Sequence, residues 1–301
     1  MSDSYYGRPI VKPHVWQWYI PAYFWIGGMA GASSVLSLVA RANGRHAVAR
    51  ISNIAAFSGI VVAPVLLTAD LGRPLRSLNM LRVFKVTSPM SVGTWLLIGF
   101  SGAVTLATSA DLFGPRPLAV AAEVGAAALG APFAVYTAVL IADTATPIWH
   151  EAHDTLPFVF VASGLAGAGA VATAFAGPDD RALPRRAMLA GGVALLAGSE
   201  IMEKRLGTFL AEPYHKGEAG RLHELATLSG IVGLAFGLIA GTNASLNRIA
   251  AAGIAAAGIL ERFAIMAAGT ESANDPKYVV VPQRERIAAR EAAAAAATTT
   301  A

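Results

Sequence analysis

The sequence contains no cysteine. It can form no disulfide and offers no thiolate to an iron–sulfur cluster, so any cluster that works with this chain must belong to another polypeptide. Charge is also scarce: 14% of the 301 residues are Asp, Glu, Lys or Arg, where a soluble domain carries roughly 25%. The net charge of +4 is spread over connecting segments, without the long basic runs that point to nucleic acid. His14, His46, His150, His153, His215 and His223 all fall in connections or at the ends of apolar stretches. A haem buried in a bilayer is usually held by histidines facing each other from helix interiors, so neither haem nor an iron–sulfur centre is expected in this chain. His150 and His153, flanked by Glu151 and Asp154, read as a solvated polar turn rather than a metal site. Residues 1–12 lack the apolar core and small-residue cleavage site of a signal peptide, and the first apolar stretch is expected to be a retained helix.

What the chain does have is apolar length. Hydrophobic residues make up 55% of it, and a helix needs about 20 largely apolar residues to cross a bilayer. Stretches of that kind run over 17–40, 51–69, 90–110, 118–142, 156–176, 187–206, 222–242 and 247–268. The expected fold is therefore an all-α, multi-pass integral membrane protein of eight transmembrane helices. A polar segment over 1–16 precedes the 17–268 helical domain, and a 269–301 tail of low-complexity end follows it. Glycine and alanine runs such as Gly27–Gly31 and Gly164–Gly169 read as surfaces where helix backbones approach closely in lipid. An even number of crossings returns both ends of the 17–268 domain to one side, here called side A. That side holds the longer connections, over 70–89, 143–155 and 207–221.

Ionisable groups inside a membrane cost roughly 2.5 to 3.5 kcal/mol on insertion scales and so mark function. At about 1.5 Å per residue, Asp70, Tyr136, Asp143, Glu200, Glu203, His223, Glu224, Glu261 and Arg262 all lie toward side A of their spans. Glu203–Arg205 and Glu261–Arg262 have two readings, functional groups or interfacial anchors whose heads snorkel to water. Glu200, a turn deeper, is read as functional. Glu123 interrupts the 118–142 span.

The connection after the second span reads Asp70-Leu71-Gly72-Arg73-Pro74, and the third begins Thr87-Ser88-Pro89-Met90-Ser91-Val92-Gly93-Thr94-Trp95. The spacing lets an acid and a guanidinium pair at a helix end, and Ser88-Pro89 starts a helix where proline's missing N–H costs nothing. These paired motifs resemble the NrfD family, the membrane subunits of polysulfide-reductase-like complexes. So do the aromatic entry Trp16–Trp25 and the closing Glu261-Arg262-Phe263 with Asp275-Pro276. The resemblance implies two four-helix bundles without a redox cofactor of their own. They would bind quinone, with menaquinone as the expected species, near the face on which an iron–sulfur, ferredoxin-like subunit docks.

It further implies a molybdopterin-type catalytic subunit beyond that partner and a place in the cytoplasmic membrane. The chain would be non-catalytic alone. Tyr136 is the first quinone-contact candidate on this resemblance, with Gln17 and His14 as looser matches. Glu200, Asp70, His223 and Glu224 are the candidate proton-exchanging groups, and Arg73, Pro74, Ser88 and Pro89 the candidate partner-facing loop. Two rival readings are an ion or proton translocator and a purely structural anchor. Against the first, the middle of the bundle and the other membrane side, side B, are poor in ionisable groups, Glu123 excepted.

Overall fold

The computed structural model describes residues 9–71, 73, 75 and 77–299. Its helices are α1 (Tyr19–Ala42), α2 (His46–Asp70), α3 (Ser77–Met80), α4 (Pro89–Phe113), α5 (Arg116–Ala142), α6 (Pro147–Glu151), α7 (Leu156–Phe175), α8 (Ala182–Leu210), α9 (Gly217–Ile239), α10 (Ala244–Asn274) and α11 (Lys277–Thr299). No strand occurs among the described residues. With no water to satisfy them, backbone groups in hydrocarbon must bond within their own helix.

Seven helices, α1, α2, α4, α5, α7, α9 and α10, are long and apolar enough to cross a membrane, and the chain is a multi-pass integral membrane protein. The expected eighth span at 187–206 is helical, within α8, but does not qualify by composition. Arg185 and Arg186 near its start and Glu200, Glu203, Lys204 and Arg205 near its end shorten the uncharged stretch. Elsewhere the helices outrun the apolar windows: α10 continues to Asn274 and the alanine-rich tail is the helix α11. Backbone hydrogen bonding does not stop at the membrane edge, and alanine has the highest helix propensity of all residues.

The helices pack as two groups of four, α1, α2, α4 and α5 in one and α7 to α10 in the other, with α1 also packed on α7 and α10. Small residues make the seam between the groups. A Cβ added to Gly164 of α7 would lie 2.8 Å from the carbonyl oxygen of Gly28 in α1, so only glycine allows this approach. On side B the first group is pinned by Glu123, fully buried, which accepts hydrogen bonds from Arg41, Asn53 and Ser37. Arg41 also pairs with Asp111 at 2.5 Å, and Arg50 pairs with the same carboxylate at 3.3 Å. The charge that interrupted the 118–142 reading is thus a four-helix clasp. On side A the short α6 is anchored by Trp149, whose buried Nε1–H donates to the Ile265 carbonyl of α10 at 2.8 Å. There α8 breaks at Gly207, whose φ of 72° suits glycine, and a 3₁₀ turn over Glu212–His215 leads into α9.

Candidate functional site

Ser88 caps α4 by accepting from the Ser91 N–H at 3.4 Å, and Pro89 occupies the first turn. The preceding loop is tied down by Ser91 Oγ, which donates to the Val83 carbonyl at 3.1 Å and accepts from the Lys85 N–H at 3.0 Å. Trp95 Nε1–H donates to the same carbonyl at 3.3 Å. Val86, Thr87 and Pro89 thereby form the mouth of a groove of about 590 Å³ between α4 and α5, whose opposite wall includes Pro132, Tyr136 and Asp143. Its outer rim is open at the protein surface, with Val139 and Val86 exposed.

Tyr136 forms the inner wall. Its ring stacks on Phe133 with centroids 5.4 Å apart, and its hydroxyl shares a short hydrogen bond with the buried hydroxyl of Tyr23 on α1. The ring lies over Gly93 of α4, where an added Cβ would sit 2.8 Å from Tyr136 Cζ and closer still to two other ring carbons. Behind Tyr136 lies a smaller cavity of about 80 Å³, with Trp16, Tyr23, Asp70 and Met80 among its walls. The Asp70 carboxylate accepts from the Gln17 N–H at 3.1 Å, which ties the entry segment to the end of α2. A cavity of 80 Å³ is below the 300–1,000 Å³ typical of small-molecule sites, and the outer groove is within that range.

A second polar centre lies in the other group. His223 of α9 is held between two carboxylates, Nε2 to Glu203 at 2.9 Å and Nδ1 to Glu261 at 3.1 Å. Ser199 donates to the other Glu261 oxygen, and His215 approaches the other Glu203 oxygen at 3.1 Å. Beside them Arg262 is 1% exposed. Its guanidinium carbon lies 3.3 Å from the Phe160 ring centroid, and Nη2 donates to the Phe160 carbonyl at 2.8 Å. A cavity of about 740 Å³ opens onto this centre, with Glu200, Tyr214, Arg221, Glu224 and Leu228 among its walls.

The candidates read from sequence thus separate. Tyr136 and Asp70 line the inner cavity, Gln17 reaches Asp70 only through its backbone N–H, and Pro89 faces Tyr136 across the groove. His14 lies to the side, stacked on Trp149 at 4.3 Å between centroids, and burial lowers its pKa. His223, Glu224 and Glu200 belong to the second cavity. Glu200 stands at its rim, exposed and paired with Lys204 at 2.9 Å, while the carboxylates turned inward are the partly buried Glu203 and the buried Glu261. The anchor reading of Glu261 and Arg262 does not hold, since both face inward; helical spacing gives depth but not which face meets a neighbour. Arg73 is exposed, and Pro74 lies outside the described residues.

Sequence reasoning missed Tyr23 and Gly93. The signal was present in α1, where Tyr23 stands among aromatic residues of a helix otherwise rich in small ones. Its partner is 113 positions away and could not be read locally. Among the described residues no group of three or more His, Asp or Glu is placed to hold a metal ion.

Phenol, carboxylate and apolar groove together can hold a flat, lipid-soluble molecule with carbonyl or hydroxyl groups and exchange protons with it. No curated protein matches the chain. Residues 10–178, more than half of the sequence and the whole of the first helix group, match the family model described as polysulphide reductase, NrfD. The chain belongs to the NrfD family.

Proposed function

We propose that this chain is the quinone-reactive membrane subunit of a multi-subunit oxidoreductase, and that quinone or quinol enters from the lipid through the groove between α4 and α5. The observation that carries this reading is the groove itself: ligand-sized, mostly apolar, open at the surface between two helices long and apolar enough to cross a membrane, and walled on its inner side by Tyr136. Tyr136 would donate a hydrogen bond to a quinone carbonyl or accept one from a quinol hydroxyl. Tyr23 orients it from behind, and Asp70, held by the Gln17 backbone N–H, lines the inner cavity.

In this reading α8 is the eighth crossing, since it packs between α7 and α9, and the membrane is the cytoplasmic one. Electrons pass to or from an iron–sulfur partner docked on side A and linked to a molybdopterin-type catalytic subunit. Exposed apolar side chains in the side A loop away from the groove mouth, Leu75, Leu81, Val83 and Phe84, support a protein contact there. Menaquinone is the species that the family resemblance implies.

The test is saturable binding of a short-chain naphthoquinone to the purified chain, followed by tryptophan fluorescence quenching. Val139→Trp, which fills the groove, is expected to abolish binding, while Ile231→Trp at the second cavity leaves it intact. Unchanged binding in Val139→Trp would remove the groove from the reading. Ion translocation remains a second reading because of one observation, the partly buried carboxylate–imidazole–carboxylate set Glu203–His223–Glu261. Proton uptake into sealed vesicles that stops in His223→Gln while quinone turnover persists would favour it.

A further inference from the structure

Asp143 is the C-cap residue of α5, two turns beyond Tyr136 on the same helix face and about 10.5 Å further along the axis at 1.5 Å per residue. A carboxylate at a helix C-terminus meets the negative end of the helix dipole, an unfavourable place for it. Its side chain is exposed and takes part in no hydrogen bond or ion pair among the described residues, so only water offsets that placement. It is also where two cavities meet. Asp143 lines the α4–α5 groove together with Tyr136, and it lines a separate cavity of about 630 Å³ on the side A surface between the α5–α6 connection and α11. The other ionisable groups around that surface cavity are already engaged. Glu151 pairs with Arg286, the Tyr278 hydroxyl donates to Glu212 at 3.0 Å, and His150 Nδ1 lies 3.3 Å from the Ala142 carbonyl.

We infer that Asp143 is the proton port of the quinone site, a carboxylate that passes protons between the groove and the water of side A. This rests on the quinone reading above. In quinol oxidation the O–H bond of the quinol breaks, its proton moves to the Asp143 carboxylate directly or through an intervening water, and the resulting acid releases it to the surface cavity. Both quinol protons leave by this route in turn, and the two electrons pass to one-electron acceptors of the iron–sulfur class. Quinone reduction runs the same steps backward. The arrangement explains why an unpaired acid is kept where the helix dipole disfavours it: a salt-bridged carboxylate would hold its charge and exchange protons poorly.

Because the chain has no cysteine, the charge at this position can be restored chemically. Asp143→Asn and Asp143→Cys are assayed in native membranes for oxidation of a short-chain naphthoquinol by a one-electron dye. Both are expected to lose about 10²-fold in turnover, the usual scale of a general acid–base group, with KM little changed. Alkylation of the introduced thiol with iodoacetate, which supplies a carboxylate, recovers activity, and iodoacetamide, which supplies the neutral amide of similar size, does not. Any reaction at cysteines of partner subunits is common to both reagents, so the difference between them belongs to position 143. Wild-type turnover in Asp143→Asn, or equal recovery with the two reagents, overturns the proton port. If naphthoquinone binding to the wild-type chain is insensitive to Val139→Trp, the quinone reading fails and the port with it. If that binding is lost in Val139→Trp while Asp143→Asn turns over normally, the port alone fails.

Discussion

The Tyr23–Tyr136 hydrogen bond ties α5, one wall of the proposed quinone groove, to α1 behind it, and its partners have different surroundings. Tyr23 is 1% exposed, whereas Tyr136 reaches the groove. Tyr136→Phe leaves the Tyr23 hydroxyl buried without a partner, which costs about 1 to 3 kcal/mol. Tyr23→Phe leaves a hydroxyl that can pair with ligand or water, and should cost about 0.5 to 1.5 kcal/mol. Removing both hydroxyls leaves no orphan and is nearly neutral, so the double variant should be more stable than the single costs sum to, with a coupling of about 1 kcal/mol or more. Turnover should separate the two differently. Tyr136→Phe deletes the group that meets the ligand and is expected to lose about 10²-fold. Tyr23→Phe loses only an orienting bond worth about 1 kcal/mol, hence less than about tenfold. The measurements are thermal unfolding of the four proteins in detergent and quinol oxidation in membranes. Additive destabilisation, or a turnover loss in Tyr23→Phe as large as that in Tyr136→Phe, would refute the division into a ligand-facing and an orienting phenol.

Two further outcomes are expected. Glu123→Ala should lose about 3 kcal/mol of stability, since the buried Asn53 amide loses its acceptor and Arg41 keeps only Asp111 as a carboxylate partner; a melting temperature within a degree or two of wild type would show that the clasp is idle. The Glu212 carboxyl is held down at about 2, mainly by its hydrogen bond from Lys216, then by those from Lys277 and Tyr278. A carboxyl whose pKa is depressed on folding stabilises the folded form above its unfolded value, about 4.3, and that contribution is lost as pH falls toward 2. Docking of α11 on the 3₁₀ turn should therefore loosen in this window, read as faster amide exchange over 277–283 in the wild type but not in Glu212→Gln, and exchange independent of pH there would contradict it.

The crossings were legible because the bilayer imposes length and apolarity on every one of them. The exception, α8, was visible as an apolar stretch, yet its polar ends serve the interior: Glu203 faces His223 while Glu200, one turn earlier, faces outward. Positions three apart on a helix differ by about 60° around the axis, and no count along the chain says which side of that angle is covered. The motif flanking the 71–89 connection was read as a partner-facing loop, and its two ends supply Pro89 at the mouth of the groove and Asp70 behind Tyr136. The pairing of Tyr23 with Tyr136, and of Glu123 with Arg41 and Asn53, depends on helices far apart in sequence. Those contacts exist only once the bundles close.

Arg262 has a bearing on biogenesis. Its charge sits deep in α10 against the Phe160 ring and carbonyl of α7, and an arginine at the centre of a lone helix opposes insertion into lipid. As the ribosome delivers the chain from its N-terminus, α7 is made well before α10 and can present its carbonyl as the last crossing arrives. Shortening or reordering the helices between them would leave that crossing without a receptor, so the final span is expected to insert only as a guest of those already in the membrane.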